Sequence, residues 1–460
     1  MGMNAPAILW FRRDLRVRDH PALAAAGRAA DQVLGLFVLD EALLVPAGPV
    51  RRTFLYRCLR ELDDTLGGRL LVLRGRPEQV VPRLARQVGA GSVHVSADNG
   101  PYGRARDERV RAALGERVEW VATGSPYAIT PGRVTKRDGT AYRVFTPFRR
   151  AWAEHGHPAP ADTDESTVEW TVPVPSLEIP ADEELSGITL PPAGERAALE
   201  RWDGFRESLV DAYARDRDRP DRAGTSRLSP YLRWGCVHPR TLLAELGGAE
   251  GAGEESFRDE LVFREFYADV LWHWPDSARR NFDSRFDRMR LDTDADAWSR
   301  FEEWCAGRTG FPMVDAGMRQ LLTVGWMHNR VRMVVASFLV KDLHLPWWWG
   351  ARHFLRHLVD GDLASNQHGW QWAAGSGTDA APYFRIFNPI TQGTRFDPDG
   401  SYVREYVAEL RGLDAKHTHR PWTLPDGPPN GYPAPIVEHG AERQEALARY
   451  GEIKNPAQAP

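Results

Sequence analysis

The chain has 460 residues, 42 % hydrophobic and 27 % charged, with a formal net charge of −4. That length exceeds one ordinary core and points to two or three domains, while the acidic balance excludes a protein that coats nucleic acid with its whole surface, so any such contact needs a local patch. No apolar run approaches the roughly 18 residues of a membrane span, the N-terminus lacks the pattern of a signal peptide, and three cysteines far apart in sequence (Cys58, Cys236, Cys305) argue against a disulfide frame or a zinc site and fit a reducing cytoplasm.

Residues 1–128 alternate short apolar runs with helix-like spans. Strands are predicted at 7–11, 33–40, 70–75, 92–98 and 118–124. Continuous apolar strands separated by helices indicate a doubly wound parallel sheet covered on both faces. The first strand is followed by no GxGxxG, and no Walker A sequence is present, so this is not a standard dinucleotide or ATP site. Polar residues nevertheless stand just past the strand ends, at Arg12, Arg13, Asp40 and Asp98 to Arg104. Residues 129–195 are rich in Pro, Gly, Thr and acids and are expected to form a long surface linker. Helical patterning from Trp202 onward predicts an all-α region over about 200–425 with a Pro-rich tail, the whole forming a 196–460 domain.

The chemistry concentrates in that helical part. Of 17 tryptophans, twelve lie between Trp202 and Trp372, although cores are more simply filled by Leu, Ile and Val, which carry no N–H needing a partner. Gly224–Ser229 (GTSRLS) can wrap a diphosphate with N–H and O–H groups or simply cap a helix. Glu260, Phe263 and Arg264 share one helix face, either as part of a site or with Glu260 and Arg264 as an ordinary surface pair. Asn329, Arg332 and Met333 make a poor core and a reasonable cavity lip. Asp362, Asn366 and Trp370 form one stripe if helical, from which Trp372 would point away. The carboxylates Asp360 and Asp362 lack the spacing of a calcium loop, and no metal site is predicted. The stretch 323–360 holds five Lys/Arg against two Asp, a local positive lip on an acidic protein.

Taken in series, FRRDLRVRDHPAL, GTSRLS, REFY, GWMHNR, DGD and WQWAAGSGTDAAPYFRIFNP resemble the photolyase/cryptochrome family, and within it the class I photolyases that repair cyclobutane pyrimidine dimers. The resemblance spans essentially the whole chain. It implies an α/β antenna domain joined to a helical FAD domain, and a likeness in activity: light excites reduced, anionic FAD, which passes an electron to a flipped-out dimer in UV-damaged DNA. FAD would be held by Tyr213, Thr225, Ser226, Arg227, Leu228, Ser229, Arg264, Asn329, Arg332, Asp360, Asp362 and Asn366. The lesion and its DNA would meet Glu260, Phe263, Asn329, Arg330, Met333, Trp372 and Arg385. Glu260 and Asn329 would act on the dimer carbonyls, and Trp370 and Trp347 would pass electrons to the flavin. Arg12, Asp40, Arg51, Asp98 and Gly103 would hold an antenna, 8-hydroxy-5-deazaflavin by the pattern Tyr102-Gly103-Arg104, with methenyltetrahydrofolate as the alternative. A cytoplasmic monomer is implied.

Asn329 and Asn366 favour dimer repair over the alternatives, a cryptochrome photoreceptor and a (6-4) photolyase. The family's dimer-stacking Trp is Phe263 here, which keeps the wall apolar but offers less stacking. The third electron-carrying Trp falls at Asp294 or Leu291, leaving Trp298 or Trp304 as substitutes.

Overall fold

In the computed structural model, which describes residues 5–248, 251–378 and 384–454, the chain opens with β1 (Ala7–Phe11), α1 (Pro21–Ala29), β2 (Gln32–Leu39), α2 (Glu41–Leu44), α3 (Pro49–Thr65), β3 (Leu70–Arg74), α4 (Pro77–Val88), β4 (Ser92–Val95), α5 (Pro101–Leu114) and β5 (Glu119–Ala122). The strands pair in parallel in the order β3-β2-β1-β4-β5. All five residues of β1 are buried, as a strand covered on both faces requires. Alternate residues divide between two cores: Ala7, Leu9 and Phe11 face one, Ile8 and Trp10 the other. The order reverses at β1 and β4, and the carboxyl ends of strands at such a point are where α/β sheets bind ligands. The fourth strand ends at Val95, short of the predicted 98, and just beyond it Ala97 N donates to Gly124 O at 2.9 Å.

The expected linker carries two elements that composition concealed. Helix α6 (Phe145–His155) and the two-residue strand β6 (Glu169–Trp170) lie within it. β6 pairs with the start of β2 and buries Trp170, so the segment adds a sixth strand to the sheet. Phe145, Phe148 and Trp152 of α6 are also buried.

The helical half continues with α7 (Gly194–Ser208), α8 (Tyr213–Asp216), α9 (Ser229–Trp234), α10 (Pro239–Leu246), α11 (Ala252–His273), α12 (Ala295–Ala306), α13 (Pro312–Val324), α14 (Asn329–Lys341), α15 (Trp347–His357), α16 (Leu363–Ala374), α17 (Pro389–Phe396), α18 (Ser401–Tyr406), α19 (Ala415–Thr418) and α20 (His439–Lys454). Helix α20 stands where only a Pro-rich tail was expected. Residues 379–383 of the motif that ends in FRIFNP lie outside the described residues. No helix among the described residues is long and apolar enough to cross a membrane.

The two halves share one core. The cluster containing Leu9 and Phe11 also contains Tyr231, Leu261 and Phe266. Phe54 of α3 meets Tyr231 of α9 edge to face at 5.8 Å, and Leu15 N donates to Trp234 O at 3.1 Å. Cys58 and Cys236, far apart in sequence, meet across this seam with sulfurs 3.6 Å apart. Each large apolar side chain buried here contributes about 1.5–3 kcal/mol.

Candidate active site

Helices α11, α14, α15 and α16 and the turn before α16 enclose a cavity of about 530 Å³, within the range of small-molecule sites. Local sequence explains how the lining is aimed. His328 caps α14 by accepting from Arg330 N at 3.2 Å, which starts the helix at Asn329 and brings Asn329, Arg330, Arg332 and Met333 to the lining. Asp362 caps α16 through Ser365 N at 3.1 Å. The following turns present Asn366 and Trp370, and Trp372 lines the same cavity rather than pointing away as its spacing suggested.

Of the residues assigned to FAD by resemblance, Tyr213, Ser226, Leu228, Ser229, Arg264, Asn329, Arg332, Asp360, Asp362 and Asn366 all line this one cavity. The hydroxyl-rich loop is no side-chain cap: the residue before α9 is Leu228, with no side-chain cap bond, and Ser229 Oγ instead donates to Asp360 at 2.6 Å. Thr225 and Arg227 are outside the lining. The Thr225 carbonyl accepts from Arg201 at 3.3 Å, and Arg227, held at φ 52°, lies over Trp326. Arg332 and Asp360 form an ion pair at 2.8 Å.

Arg13 reaches from the α/β half to Asp362 at 2.5 Å, a contact that the sequence reading did not anticipate. Burial pushes the Asp362 carboxyl up, but Arg13, Arg233 and Arg264 outweigh it and hold that group well below the usual carboxylate range. Burial among other cations lowers the Arg233 guanidinium to about 9. Three buried polar atoms on lining residues have no hydrogen-bond partner among the described residues: Asp360 Oδ1, Arg233 Nη1 and Trp370 Nε1. Buried polar groups are normally paired. An acceptor, a cationic donor and an indole N–H left open in a cavity of this size fit a ligand with a hydrogen-bonding ring and a diphosphate, as FAD has.

The residues assigned to the lesion by resemblance, Glu260, Phe263, Asn329, Arg330, Met333 and Trp372, line the same cavity. Glu260 does not pair with Arg264, whose guanidinium donates to the carbonyls of Pro126 at 2.9 Å and Leu232 at 3.0 Å. Its partner is Arg217, another residue the sequence did not suggest, since the two lie on different helices. Burial raises the Glu260 carboxyl while Arg217 opposes it. Arg330 pairs with Asp218 at 2.8 Å. Arg385 lies outside the lining, exposed, with its ring neighbour Phe387 4.8 Å from the guanidinium.

Trp370 packs against Phe354 at 5.0 Å and Trp304 at 6.0 Å. A Cβ on Gly350 of α15 would stand 2.1 Å from the Trp370 ring, so only glycine admits the indole there. Trp347 is buried outside the lining, with Nε1 donating to Asn281 at 3.0 Å. At the missing third tryptophan, Asp294 caps α12 through Ala297 N at 2.8 Å. Trp304 is fully buried, whereas Trp298 is 49 % exposed.

The residues assigned to an antenna divide into two groups. Arg12, Asp40, Asp98 and Gly103 gather at the strand ends: Arg12 pairs with Asp107 at 2.7 Å, Tyr102 donates to Asp40 at 2.5 Å, and Arg106 pairs with Asp98 at 3.2 Å. A Cβ on Gly103 would lie 2.1 Å from the Asp98 carboxyl carbon, so the glycine makes room for that acid. Arg51 points elsewhere. Its guanidinium lies against Gly361, donating to the carbonyl at 3.4 Å, behind the turn that carries Asp360 and Asp362.

Residues 257–452 match the family model described as the FAD binding domain of DNA photolyase, so the helical half is an FAD-binding domain, and residues 7–165 match the model described as DNA photolyase. The deoxyribodipyrimidine photo-lyase of a Synechococcus species is 37 % identical over 98 % of either chain. The crystal structure of a bacterial class III photolyase from Agrobacterium tumefaciens superposes with a TM-score of 0.88 at 36 % identity, covering 99 % of both chains. A Synechocystis cryptochrome structure also reaches 0.88, at 26 % identity, covering 97 % of this chain and 99 % of that one. The chain belongs to the DNA photolyase family.

Proposed function

We propose that the protein is a deoxyribodipyrimidine photo-lyase that splits cyclobutane pyrimidine dimers in DNA under blue or near-UV light. The observation that carries this reading is that the flavin set (Arg332, Asp360, Asn366) and the lesion set (Glu260, Asn329, Met333, Trp372) line one continuous cavity. Electron transfer between two planar systems needs that proximity.

Extrusion of the target, the general strategy of enzymes that act on a base, photolyases among them, costs a few kcal/mol and least for a damaged pair. Phe263, Met333 and Trp372 offer the extruded dimer apolar walls. Glu260 and Asn329 face its carbonyls, where negative charge develops, and donors placed there stabilise that charge without reorganising. Burial favours the protonated form of Glu260 while Arg217 opposes it; a protonated carboxyl would donate a hydrogen bond to a dimer carbonyl. FAD, reduced and anionic, would supply the light-excited electron, held by the residues that leave Asp360 Oδ1 and Arg233 Nη1 open. Asn366 is neutral, which avoids the like-charge repulsion that a carboxylate would impose on a reduced flavin. Arg217, Arg330 and the exposed Arg385 supply the cationic lip for the DNA backbone. An 8-hydroxy-5-deazaflavin antenna would sit at the β1/β4 switch point among Arg12, Asp40, Asp98 and Gly103, with methenyltetrahydrofolate as the alternative. The absorption spectrum of the purified protein separates the two.

The deciding assay gives purified protein to oligonucleotides that carry a single cyclobutane dimer or a single (6-4) photoproduct, in the dark and under blue light. Restoration of the cyclobutane dimer alone is expected. Light-dependent flavin reduction without change in either lesion would overturn the repair reading in favour of a photoreceptor.

A further inference from the structure

Phe263 occupies a wall of the lesion side, and one phenyl ring is a small platform for two joined bases. Phe145 lies flat against it. The two centroids are 3.4 Å apart and the planes are 7° from parallel. Phe145 is 8 % exposed and belongs to α6, from the segment between the two halves. Helix α6 is fastened to α11 along its length. Phe145 meets Phe266 edge to face at 6.0 Å, Phe148 meets it at 5.2 Å, Trp152 Nε1 donates to Glu265 at 2.6 Å, and Arg149 pairs with Glu255 at 2.7 Å and with Asp259.

We propose that Phe145 is a positioning residue for lesion recognition: it backs Phe263 so that two stacked phenyl rings, fixed by α6, act as the single rigid slab against which an extruded pyrimidine pair packs. An isolated phenylalanine on a helix face keeps two torsions and pivots when a ligand presses on it. A second ring clamped in parallel removes that freedom before binding, so less is lost on binding. The inference rests on the repair reading above and extends it to a residue that does not itself line the cavity.

The test compares the intact FAD-loaded protein with Phe145→Leu and Phe145→Ala, in the dark. Binding to an oligonucleotide with one cyclobutane dimer and to the undamaged oligonucleotide is measured along with FAD content. Leucine keeps most of the volume and loses the flat ring, so Phe145→Leu is the variant read if the alanine protein does not fold. Preference for the damaged strand is expected to fall about 3- to 10-fold, with undamaged-strand affinity and FAD content unchanged. Phe145→Leu combined with Phe263→Trp should recover the preference, because an indole supplies the missing area. Unchanged preference in Phe145→Leu, or equal losses on both strands, would overturn the inference and leave the repair reading intact. If the unaltered protein shows no preference at all, the repair reading falls and the inference with it.

Discussion

At the residue scale the site turns on a few contacts that unite distant parts of the chain. Glu260 was recognisable in the sequence from its place one turn before Arg264. Its true partner was not, because Arg217 lies 43 positions away and nothing in local spacing reveals a contact between separate helices. The pair sets an order of effects. Glu260→Ala is expected to lower repair per absorbed photon several-fold with FAD still bound, and Glu260→Gln, which keeps a neutral donor, to lower it less. Equal losses in the two variants, measured as thymine restored per photon, would show that a hydrogen-bond donor is not what the position supplies. Asp362 teaches the same lesson from the other side. Its place in DGD marked it, but the first of the three arginines that hold it ionised comes from just beyond β1.

At the scale of elements, α6 and α11 show why composition misled. The span 129–195 reads as linker because prolines and glycines surround α6. Phe145, Phe148 and Trp152 nevertheless stand at i, i+3 and i+7, the spacing of one apolar helix face, and that was the signal available. The helix is held by Glu265, a buried carboxylate that accepts from Trp152 Nε1 and from the backbone of Ala128 and Ile129. Burial raises its pKa from 4.5 to about 7, against those hydrogen bonds. The folded protein therefore keeps a proton that the unfolded chain releases between those values, so the stability from this group is full below about pH 4.5 and is lost as pH rises through 7. Thermal melts from pH 5 to 8 should show the unaltered protein losing stability relative to Glu265→Gln, by at most about 3 kcal/mol. A constant difference across that range would mean that the carboxyl ionises normally. The sheet was more legible: short apolar runs bounded by turn signals fit buried strands, and apart from the unforeseen β6 the bounds differ by one residue at β2 and β3 and by up to three at β4 and β5.

At the scale of the molecule, the α/β half helps to build the proposed flavin cavity although no described residue before Tyr213 lines it. Arg13 grips Asp362, and Arg51 closes on Gly361 behind it. Removing one partner of a fully buried ion pair costs about 3–5 kcal/mol; this pair is part-buried and Arg233 and Arg264 also face Asp362, so the loss is smaller. Arg13→Gln is accordingly expected to shed FAD faster on dilution and to melt at a lower temperature, with secondary structure unchanged. Flavin retention equal to that of the unaltered protein would show that Asp362 is held well enough by Arg233 and Arg264. The motifs announced both halves, but how they are fused was hidden, because the shared core is assembled from residues such as Phe54 and Tyr231 that look like ordinary filling in their own segments.

That fusion limits how such a protein can be rebuilt. A chimaera that grafts the first 128 residues onto the helical part of a distant relative would bring Cys58 to a foreign neighbour where Cys236 stood, and would set Phe54 against a surface not shaped for it. Neither piece is a cassette. A new α/β half can be installed only together with the matching face of α9, so the two parts must change in step.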